Sequence, residues 1–566
     1  MSLKTLLLRV ATKHKWVSNF TPIVFKRDKS KSNHGDFHRR YEINDKTIAT
    51  VLFGSVLVGS FFADKFESKS KPDNVQNKPS KEDAPFEAGE KRPDLPTYTA
   101  EEVSKHDTRS SFWVTYKYGV YDVTKFLPSH PGGEQILNAA GLSIEPFWNV
   151  YGMHKTQEVF KLLESYRIGN LRADDVVDHS DEEMWVTEPR RDERLIVKTA
   201  RPFNAEIPPQ YQMLHFDTPN ELFYVRQHMP VPVLDAGSHS LRVDVAAGGR
   251  QRAASRRYSL AQLGELPRVE VRAALMCAGN RRSEMNKQVK PVKGISWAGG
   301  AISNAVWGGV LLRDVLLAAG LDPAAGTDGK HVILRGADID ATGEQFSTSI
   351  PLHMALDERQ RVLLATHMNG RPLPRDHGAP LRAVVPGAPA VRSVKWLESI
   401  TVSEEESPSH WHQKDYRAFN PSVTWETAHF PSAPPVYSLP VTSAVCAPAD
   451  GAAVRPHQGH VQLQGYAYSG GGARIVRVDV SGDRGASWAE AALRQDGAPP
   501  RAHYAWTLWS ARLPVPEGDG STEMEIWVKA TDSNFNTQPE KFDDIWNIRG
   551  ILSNAYHKIK IKIVKD

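Results

Sequence analysis

The chain has 566 residues, too many for one hydrophobic core, and this length predicts roughly three or four domains. Its 40% hydrophobic and 24% charged residues are typical of globular proteins, and a formal net charge of +4 gives no general case for binding nucleic acid. The only cysteines are Cys277 and Cys446, so a framework of several disulfide bonds is excluded.

Residues 1–64 have the composition of a targeting segment. Six basic residues and no acidic residue precede Asp28, as in a mitochondrial presequence. Residues 47–63 are 17 uncharged, mostly apolar positions, close to the lower limit for a membrane span of about 20. Either they remain as a permanent anchor, or they halt the chain in the inner membrane and are then cleaved. We favour the second interpretation, with only transient membrane contact, and predict a disordered linker over residues 65–93.

The first folded unit is predicted over residues 94–171, where a β-rich stretch is followed by the turn "HPGG". The two glycines after His130 and Pro131 let the backbone approach a flat group closely. A second histidine, His154, lies near aromatic residues that could line an apolar slot, namely Phe147, Trp148 and Tyr151.

This unit resembles cytochrome b5, in which the HPGG histidine and a second histidine bind haem iron from opposite faces. The resemblance implies that His130 and His154 are the iron ligands of a haem b. Because both axial positions would be filled, the haem would carry single electrons and would leave no site for substrate.

Residues 172–194 are predicted to form a mobile acidic hinge. From Asp94 to Arg194 the chain has 18 acidic and 11 basic residues, a balance of −7. A solvated linker accounts for part of this excess. A basic electron carrier such as cytochrome c is the more specific interpretation, since long-range attraction would raise the rate of encounter.

The second unit, predicted over residues 195–429, contains the stretch "LMCAGNRRSEM" around Cys277. Most free cysteines are small buried apolar residues. Here the thiol follows a strand-like segment and precedes small residues, then Asn280, Arg281 and Arg282, which cannot all be buried without anionic partners. Arginines beside a thiol favour the thiolate, the form that binds metal, and a soft sulfur ligand suits a redox metal.

Four stretches, "LMCAGNRRSEM", "LFYVRQHMPVP", "LPRDHGAPLRAVVPG" and "VKWLESITV", resemble the molybdopterin domain shared by sulfite oxidase and eukaryotic nitrate reductase. With a haem domain before it and a sheet domain after it, the chain resembles animal sulfite oxidase over residues 95–563. This resemblance implies a multidomain α+β protein. Its parts would be a small α+β haem domain, a mixed α/β molybdopterin domain and a C-terminal immunoglobulin-like β-sandwich.

The resemblance also assigns roles to residues. Cys277 would bond molybdenum, together with the dithiolene of a pyranopterin and two oxo groups. The substrate pocket would contain Arg226, Arg282, Trp297, Tyr416 and Arg549. The pterin and its phosphate would be bound by Tyr224, Val225, Arg226, Gln227, His228, Asp338, His377, Arg382, Ser393, Val394 and Lys395. The interval from Cys277 to Trp297 is one residue longer than the family pattern, so Trp297 is the less secure assignment.

Three arginines would give a small divalent anion permanent charges and forked donors. Sulfite has a sulfur lone pair that can attack an oxo group of Mo(VI), releasing sulfate, whereas sulfate has none. Tyr416 would hydrogen-bond the anion or the transferred oxygen. For each arginine the alternative is an ordinary surface salt bridge, and Lys395 could instead pack its stem along Trp396.

The last unit, residues 430–566, alternates apolar and polar residues between turns and predicts an all-β sandwich. Cys446 has no basic neighbours and is predicted to be structural. The resemblance implies that this unit forms a homodimer and that Arg549 links it to the active site.

Three functions remain as alternatives. Sulfite oxidation in the mitochondrial intermembrane space, with cytochrome c as acceptor, is the leading one. A nitrate reductase would carry its haem domain after the molybdenum domain, followed by flavin and nicotinamide modules, which we do not expect here. A haem carrier with an inert central scaffold is the third.

Overall fold

The computed structural model describes residues 87–130, 133–150, 154–178, 185–246, 253–340, 342–515 and 523–564. The predicted targeting segment, 1–64, and the linker residues 65–86 lie outside this part of the chain. Within the described ranges, every helix is too short or too polar for a membrane span.

The first domain is a small α+β unit on a five-stranded sheet, in the order β1-β5-β4-β3-β2. The strands are β1 (Thr97–Tyr98), β2 (Asp107–Thr108), β3 (Ser111–Tyr116), β4 (Gly119–Asp122) and β5 (Arg167–Leu171). The helices are α1 (Ala100–Val103), α2 (Glu145–Val150) and α3 (Gln157–Glu164), with 3₁₀ turns at Leu127–Ser129, Gly133–Ala139 and Ala173–Asp175.

Helix α3 shows why the sequence folds in this way. The Thr156 side chain caps its first turn by accepting a hydrogen bond from the Val159 amide. Val159, Phe160 and Leu163 are spaced by one and three residues, so they share one face and pack against the core with Phe112 and Trp148. The helix is therefore fixed to the sheet along one apolar side.

The prediction of a disordered linker over residues 65–93 is wrong for its last residues. Ala88 is only 2% exposed. The Gly89 amide donates to Glu164 Oε1 at 2.9 Å and the Arg92 amide to Asn170 Oδ1 at 2.9 Å. Composition alone did not reveal this, because the backbone donors find acceptors about 75 residues later in the chain.

The second domain contains three sheets. Their orders are β10-β9-β18-β13-β14, β11-β12-β15-β16 with β17 beside β15, and β6-β7-β8. The strands are β6 (Ile196–Thr199), β7 (Asn204–Glu206), β8 (Val225–Arg226), β9 (Ser240–Val245), β10 (Ala254–Ser259), β11 (Arg268–Met276), β12 (Ile302–Leu311), β13 (His331–Ile339), β14 (Gln345–Pro351), β15 (Leu363–Met368), β16 (Arg371–Pro372), β17 (Arg382–Val384) and β18 (Leu397–Ser403).

Short helices connect these strands. They are α4 (Pro209–Gln212), α5 (Leu260–Gly264), α6 (Arg282–Gln288), α7 (Leu312–Ala318) and α8 (Leu352–Leu356), with 3₁₀ turns at Asn220–Leu222, Pro323–Ala325, Arg375–His377, Ala390–Arg392 and Phe430–Ser432 and a π-helical turn at Trp411–Asp415. Alternate residues of β9, namely Leu241, Val243 and Val245, are buried in the largest core. This period of two places one face of the sheet inward.

The third domain is a β-sandwich of two sheets, in the orders β19-β21-β25-β24 and β20-β27-β26-β22-β23. Its strands are β19 (Thr442–Ala447), β20 (Ala453–Val454), β21 (His460–Tyr468), β22 (Ile475–Ser481), β23 (Ala489–Glu490), β24 (Ala492–Arg494), β25 (Thr507–Pro514), β26 (Glu523–Asp532) and β27 (His557–Ile563). Aliphatic side chains from both sheets fill the space between them. The predicted fold class is confirmed.

The second and third domains share a core, which includes Met276 and Ile302 from one and Ala444, Cys446 and Tyr466 from the other. Cys446 Sγ lies 3.4 Å from Gln212 Oε1. Burial raises the pKa of this thiol to about 12. These contacts agree with a structural role for Cys446.

Both ends of the predicted hinge, 172–194, have specific partners. Asp175 accepts a hydrogen bond from the Ala100 amide at 2.9 Å, which ties the start of the segment to the first domain. Residues 185–194 are attached to the second domain, since Trp185 is 6% exposed and Arg191 pairs with Asp376. The acidic composition suggested a solvated segment, but the aromatic and arginine side chains within it bind specific partners.

Candidate cofactor and active site

A cavity in the second domain brings together most of the residues predicted for the site. It encloses about 700 Å³ of empty space, part of it open to solvent. Its walls include the predicted residues Tyr224, Arg226, Gln227, His228, Cys277, Asp338, His377, Arg382, Ser393, Val394, Lys395 and Tyr416. A concave, partly apolar site with a few convergent polar groups is the usual form of a cofactor pocket.

Strand β11 fixes the position of Cys277. The strand pairs with β12 as far as Met276, and the Cys277 amide then donates to Ala301 O at 2.9 Å. The residue is 7% exposed and lines the cavity. Asn280 closes the following turn, because its Nδ2 donates to Tyr466 Oη at 2.9 Å and its Oδ1 accepts from the Ala301 amide at 3.0 Å.

The two adjacent arginines have different roles. Arg281 is fully buried and donates to Glu284 through Nε at 2.8 Å and Nη2 at 2.6 Å. Its Nη1 also donates to Ser443 O and Ala555 O, at 3.2 and 2.7 Å. Arg281 therefore has a structural role. It forms an ion pair with Glu284 and joins the second domain to the third through its hydrogen bonds to Ser443 and Ala555.

Arg282 points elsewhere and has backbone partners. Its Nε donates to Gly550 O at 2.8 Å, Nη1 to Ile295 O at 2.7 Å and Nη2 to Arg549 O at 3.3 Å. The described residues place no carboxylate within salt-bridge distance of it. Burial lowers the pKa of this guanidinium, whereas the neighbouring Cys277 opposes the shift. A buried cation of this kind favours an anion beside it.

Glycines make room for the Arg282 side chain. A Cβ at Gly279 would lie 2.6 Å from Arg282 Nη2, one at Gly294 would lie 2.8 Å from Nη1, and one at Gly550 would lie 2.9 Å from Nε. Any of these side chains would displace the guanidinium. The glycine two residues after Cys277 thus has a steric reason to be there.

Tyr416 and His228 meet at the cavity wall. Tyr416 Oη lies 3.4 Å from His228 Nε2. Burial lowers the pKa of His228 well below its usual value and raises the pKa of Tyr416. The imidazole is therefore neutral near pH 7, and the phenol remains a donor. His228 is also stacked on Phe346, with 5.2 Å between the ring centroids.

Another part of the cavity wall carries basic side chains that donate mainly to backbone oxygens. Lys395 Nζ donates to Arg226 O and Asp376 O, both at 3.0 Å, and burial lowers the pKa of Lys395 to about 7. Arg382 donates only to backbone oxygens, including His377 O at 3.0 Å and Ser393 O at 2.9 Å. Burial lowers the pKa of Arg382 to about 10.

This donor set fits a pyranopterin with a phosphate and a bound molybdenum. The cations would compensate the phosphate, and the Cys277 thiol is a soft metal ligand. Asp338 Oδ1 is a buried acceptor with no hydrogen-bond partner among the described residues, and burial raises the pKa of this carboxyl to about 7. Such an orphaned group fits the N–H donors of a pterin ring.

The first domain holds the second predicted cofactor site. The ring centroids of His130 and His154 lie 6.3 Å apart, with 16° between the ring planes. If one metal ion bonded a nitrogen of each ring, the two bonds of about 2 Å would take up about 4 Å of this separation. The remainder is about 1 Å on each side, from the bonding nitrogen to the centre of its own ring. That is the half-width of an imidazole, so the pair fits the two axial ligands of one haem iron.

Some predicted residues lie outside the cavity wall. Val225 packs in a core with Leu195 and Ala205, so its side chain does not line the cavity, and its assignment to the cofactor stays a prediction. Trp297 is 1% exposed and belongs to the apolar cluster that contains Cys277. Arg549 Nη2 pairs with Asp415 Oδ1 at 2.6 Å, and this salt bridge is the alternative role given above for the arginines.

Other lining residues were missed, including Phe223, Phe346, Asp376 and Trp396. Asp376 and Trp396 adjoin the predicted His377 and Lys395, so neighbouring positions could have indicated them. Phe346 carries no local signal. Lys395 Nζ lies 4.4 Å from the centre of the Trp396 ring while donating to backbone oxygens, so the packing alternative and the polar role coexist.

A thiol in a cation-lined cavity, beside a domain with paired histidines, defines a molybdopterin oxidoreductase with an attached cytochrome b5-like domain. Family models match accordingly. Residues 99–172 match the cytochrome b5-like heme/steroid binding domain, residues 228–411 the oxidoreductase molybdopterin binding domain, and residues 433–564 the Mo-co oxidoreductase dimerisation domain. The two predicted cofactors are confirmed.

Similar proteins narrow the class. The chain is 50% identical to the mitochondrial sulfite oxidase of Drosophila melanogaster, over 84% of this chain and 82% of that one. It is 48% identical to the sulfite oxidase of Gallus gallus, over 82% of this chain and 100% of that one. The chain belongs to the sulfite oxidase family, as its motifs predicted.

A solved structure shares the fold. The sulfane dehydrogenase SoxCD of Paracoccus pantotrophus matches with a TM-score of 0.53 and 24% identity, covering 67% of this chain and 88% of that one.

Proposed function

We propose that this enzyme oxidises sulfite to sulfate at a molybdenum–pterin centre held by Cys277, and that a haem b held by His130 and His154 passes the electrons singly to cytochrome c. The observation that carries the proposal is the set of side chains that line the cavity. Cys277 shares it with the cations Arg226, Arg382 and Lys395, and Arg282 lies beside the thiol in a buried position.

The arginines bind the substrate anion. The guanidinium of Arg282 has five N–H donors, of which three are used by Gly550, Ile295 and Arg549. One N–H on each terminal nitrogen is left for a small oxyanion. Arg226 adds a second charge, and Arg549 adds a third when it is shared between Asp415 and the anion.

Tyr416 supplies a neutral donor. Because burial raises the pKa of Tyr416, the phenol keeps its proton at neutral pH and can hydrogen-bond an oxygen of substrate or product. His228 orients that hydroxyl from the other side. When bound, the molybdenum–pterin group accepts two electrons and supplies an oxygen atom.

The haem domain removes the electrons. His130 and His154 would hold the haem iron from both faces and leave it no site for substrate, so the haem would supply single-electron transfer. The balance of −7 from Asp94 to Arg194 attracts a basic partner, which supports cytochrome c as the acceptor.

The enzyme is a homodimer through the unit that matches the dimerisation domain, and it is mitochondrial. The basic, acid-free stretch before Asp28 and the apolar residues 47–63 support delivery to the intermembrane space, with transient membrane contact.

Replacing Cys277 with serine tests the proposal. We expect Cys277→Ser to abolish sulfite-dependent reduction of cytochrome c while the haem absorbance spectrum stays unchanged. The matched control is Cys446→Ser, because Cys446 is equally buried but lies in the core shared with the third domain. Undiminished turnover by Cys277→Ser would contradict the mechanism. Purified wild-type protein with haem but no molybdenum would instead support a plain haem carrier.

A further inference from the structure

Residues 185–194 are the end of the predicted hinge, and we call them the anchor segment. They contact the second domain at several points. Arg375 Nη1 donates to Thr187 O at 2.6 Å. The Val231 amide donates to Glu188 Oε1 at 2.7 Å. Trp185 is buried, and Arg201 lies 6.0 Å from the centre of its ring. The anchor segment is therefore held by main-chain, polar and aromatic contacts together.

Arg191 makes the strongest of these attachments. Its Nε donates to Asp376 Oδ2 at 3.0 Å and its Nη2 to Asp376 Oδ1 at 2.8 Å, which is a bidentate pair. The two side chains are 11% and 10% exposed. The guanidinium also lies 4.3 Å from the centre of the Phe203 ring and pairs with Glu188. Such a shielded, two-point ion pair is a specific attachment, unlike a surface salt bridge.

Asp376 is also part of the cofactor cavity. Its Oδ1 accepts from Gln227 Nε2 at 3.1 Å, and its backbone oxygen accepts from Lys395 Nζ at 3.0 Å. Gln227, Lys395 and Asp376 all line the cavity. One carboxylate thus binds the anchor segment on one side and the cavity wall on the other.

We propose that Arg191 is a positioning residue that couples occupancy of the cofactor cavity to attachment of the anchor segment. This inference rests on the proposed function, because the ligand of the cavity is the molybdenum–pterin cofactor. An anionic cofactor fixes Lys395 and Gln227, and these hold Asp376 in the orientation that the Arg191 fork requires. Because coupling between two sites is reciprocal, the attached segment retains the cofactor by the same factor.

The coupling decides where the haem domain can pivot. In the loaded enzyme the anchor segment is held on the second domain, so the haem domain can move only up to Trp185. In the cofactor-free chain, the anchor segment loosens and the pivot moves toward the second domain. The movement of the haem domain would therefore be fully restricted only after the cofactor is bound.

Hydrogen exchange read by mass spectrometry tests the coupling. The samples are full-length wild type, Arg191→Gln and the control Arg190→Gln, each loaded and cofactor-free. Arg190 is the exposed neighbour of Arg191. In wild type and Arg190→Gln, we expect the cofactor to slow exchange of the amides in residues 185–195 by about tenfold, within the usual range of coupling factors. In Arg191→Gln this difference should disappear, and the affinity for the pterin should fall about tenfold.

Several outcomes would overturn the inference. One is equal exchange in loaded and cofactor-free wild type, and another is an undiminished difference in Arg191→Gln. A purely structural role would change exchange in both forms equally and leave their ratio intact. If Arg191→Gln fails to fold, Arg191→Lys keeps the charge but loses the fork, and it should reduce the ratio without abolishing it. These measurements use no sulfite, so they are independent of whether the substrate is correct.

Discussion

Adding one methyl group at Gly279 should disable the anion site without unfolding the protein. The new Cβ would lie 2.6 Å from Arg282 Nη2 and 2.7 Å from both Cζ and Nη1. Carbon contacts are comfortable from about 3.5 Å, so the guanidinium must retreat by about 0.9 Å. The Gly279 backbone is not in the left-handed region, so alanine adds no backbone strain there.

The retreat has a predictable cost because the guanidinium is held by three carbonyl oxygens at 2.7, 2.8 and 3.3 Å. A displacement of this size breaks at least one of these bonds, and a hydrogen bond to a charged group contributes about 1.5–3 kcal/mol. Misplacement of a substrate-binding group by about 1 Å can lower the rate about 100-fold. We therefore expect Gly279→Ala to lower kcat/KM for sulfite about 100-fold.

Steady-state reduction of cytochrome c measures this effect, with molybdenum and haem contents determined on the same samples. Inhibition by sulfate should weaken in parallel, since it depends on the same guanidinium. Gly497→Ala is the matched control, because a Cβ at Gly497 would meet nothing within 4 Å. A Gly279→Ala enzyme with full cofactor content and kcat/KM within twofold of wild type would refute the steric argument.

Two further predictions concern the haem and the sandwich domain. His154→Ala should lower the sulfite-dependent reduction of cytochrome c to background, because one of the two histidines predicted to hold the haem is lost. An artificial acceptor that takes electrons directly from the molybdenum centre should still be reduced. Loss of both activities would contradict separate roles for the two centres. Burial lowers the pKa of His557 from 6.5 to about 4, and its Nδ1 accepts from the Val445 amide at 3.1 Å. Between these pH values the unfolded chain binds a proton here and the folded chain does not, so the free energy of unfolding falls as the pH falls from 6.5 to 4. In denaturant titrations across this window, His557→Gln should show a pH slope smaller by one proton, and an unchanged slope would contradict the assignment.

Local sequence patterns predicted those features of the fold and the site that depend on residues close together in the chain. The strand-like stretch "RVEVRAALM" predicted the strand that ends just before Cys277, and the HPGG turn identified His130. The pairing of Arg281 with Glu284 was also accessible, because Arg281 directly precedes helix α6 and Glu284 lies in the first turn of that helix. The sequence contained that signal, although the two arginines look equivalent without it.

Contacts between distant residues were not predictable in the same way. The space for Arg282 is provided by glycines at 279, 294 and 550, and only the first is near it in the chain. Arg191 meets Asp376 across 185 residues. Such contacts depend on how whole sheets and domains pack, and a single sequence shows neither the closeness of two backbones nor the direction of a side chain.

The reach of Arg282 to the carbonyls of Arg549 and Gly550 has a consequence for biosynthesis. The anion-binding side of the pocket is completed by residues synthesised 267 and 268 positions after the arginine itself. A nascent chain that has already folded its haem unit still lacks this closing segment. The anion-binding side of the pocket can therefore form only after the sandwich has been translated, and a chain truncated before Arg549 should bind haem but should not turn over sulfite.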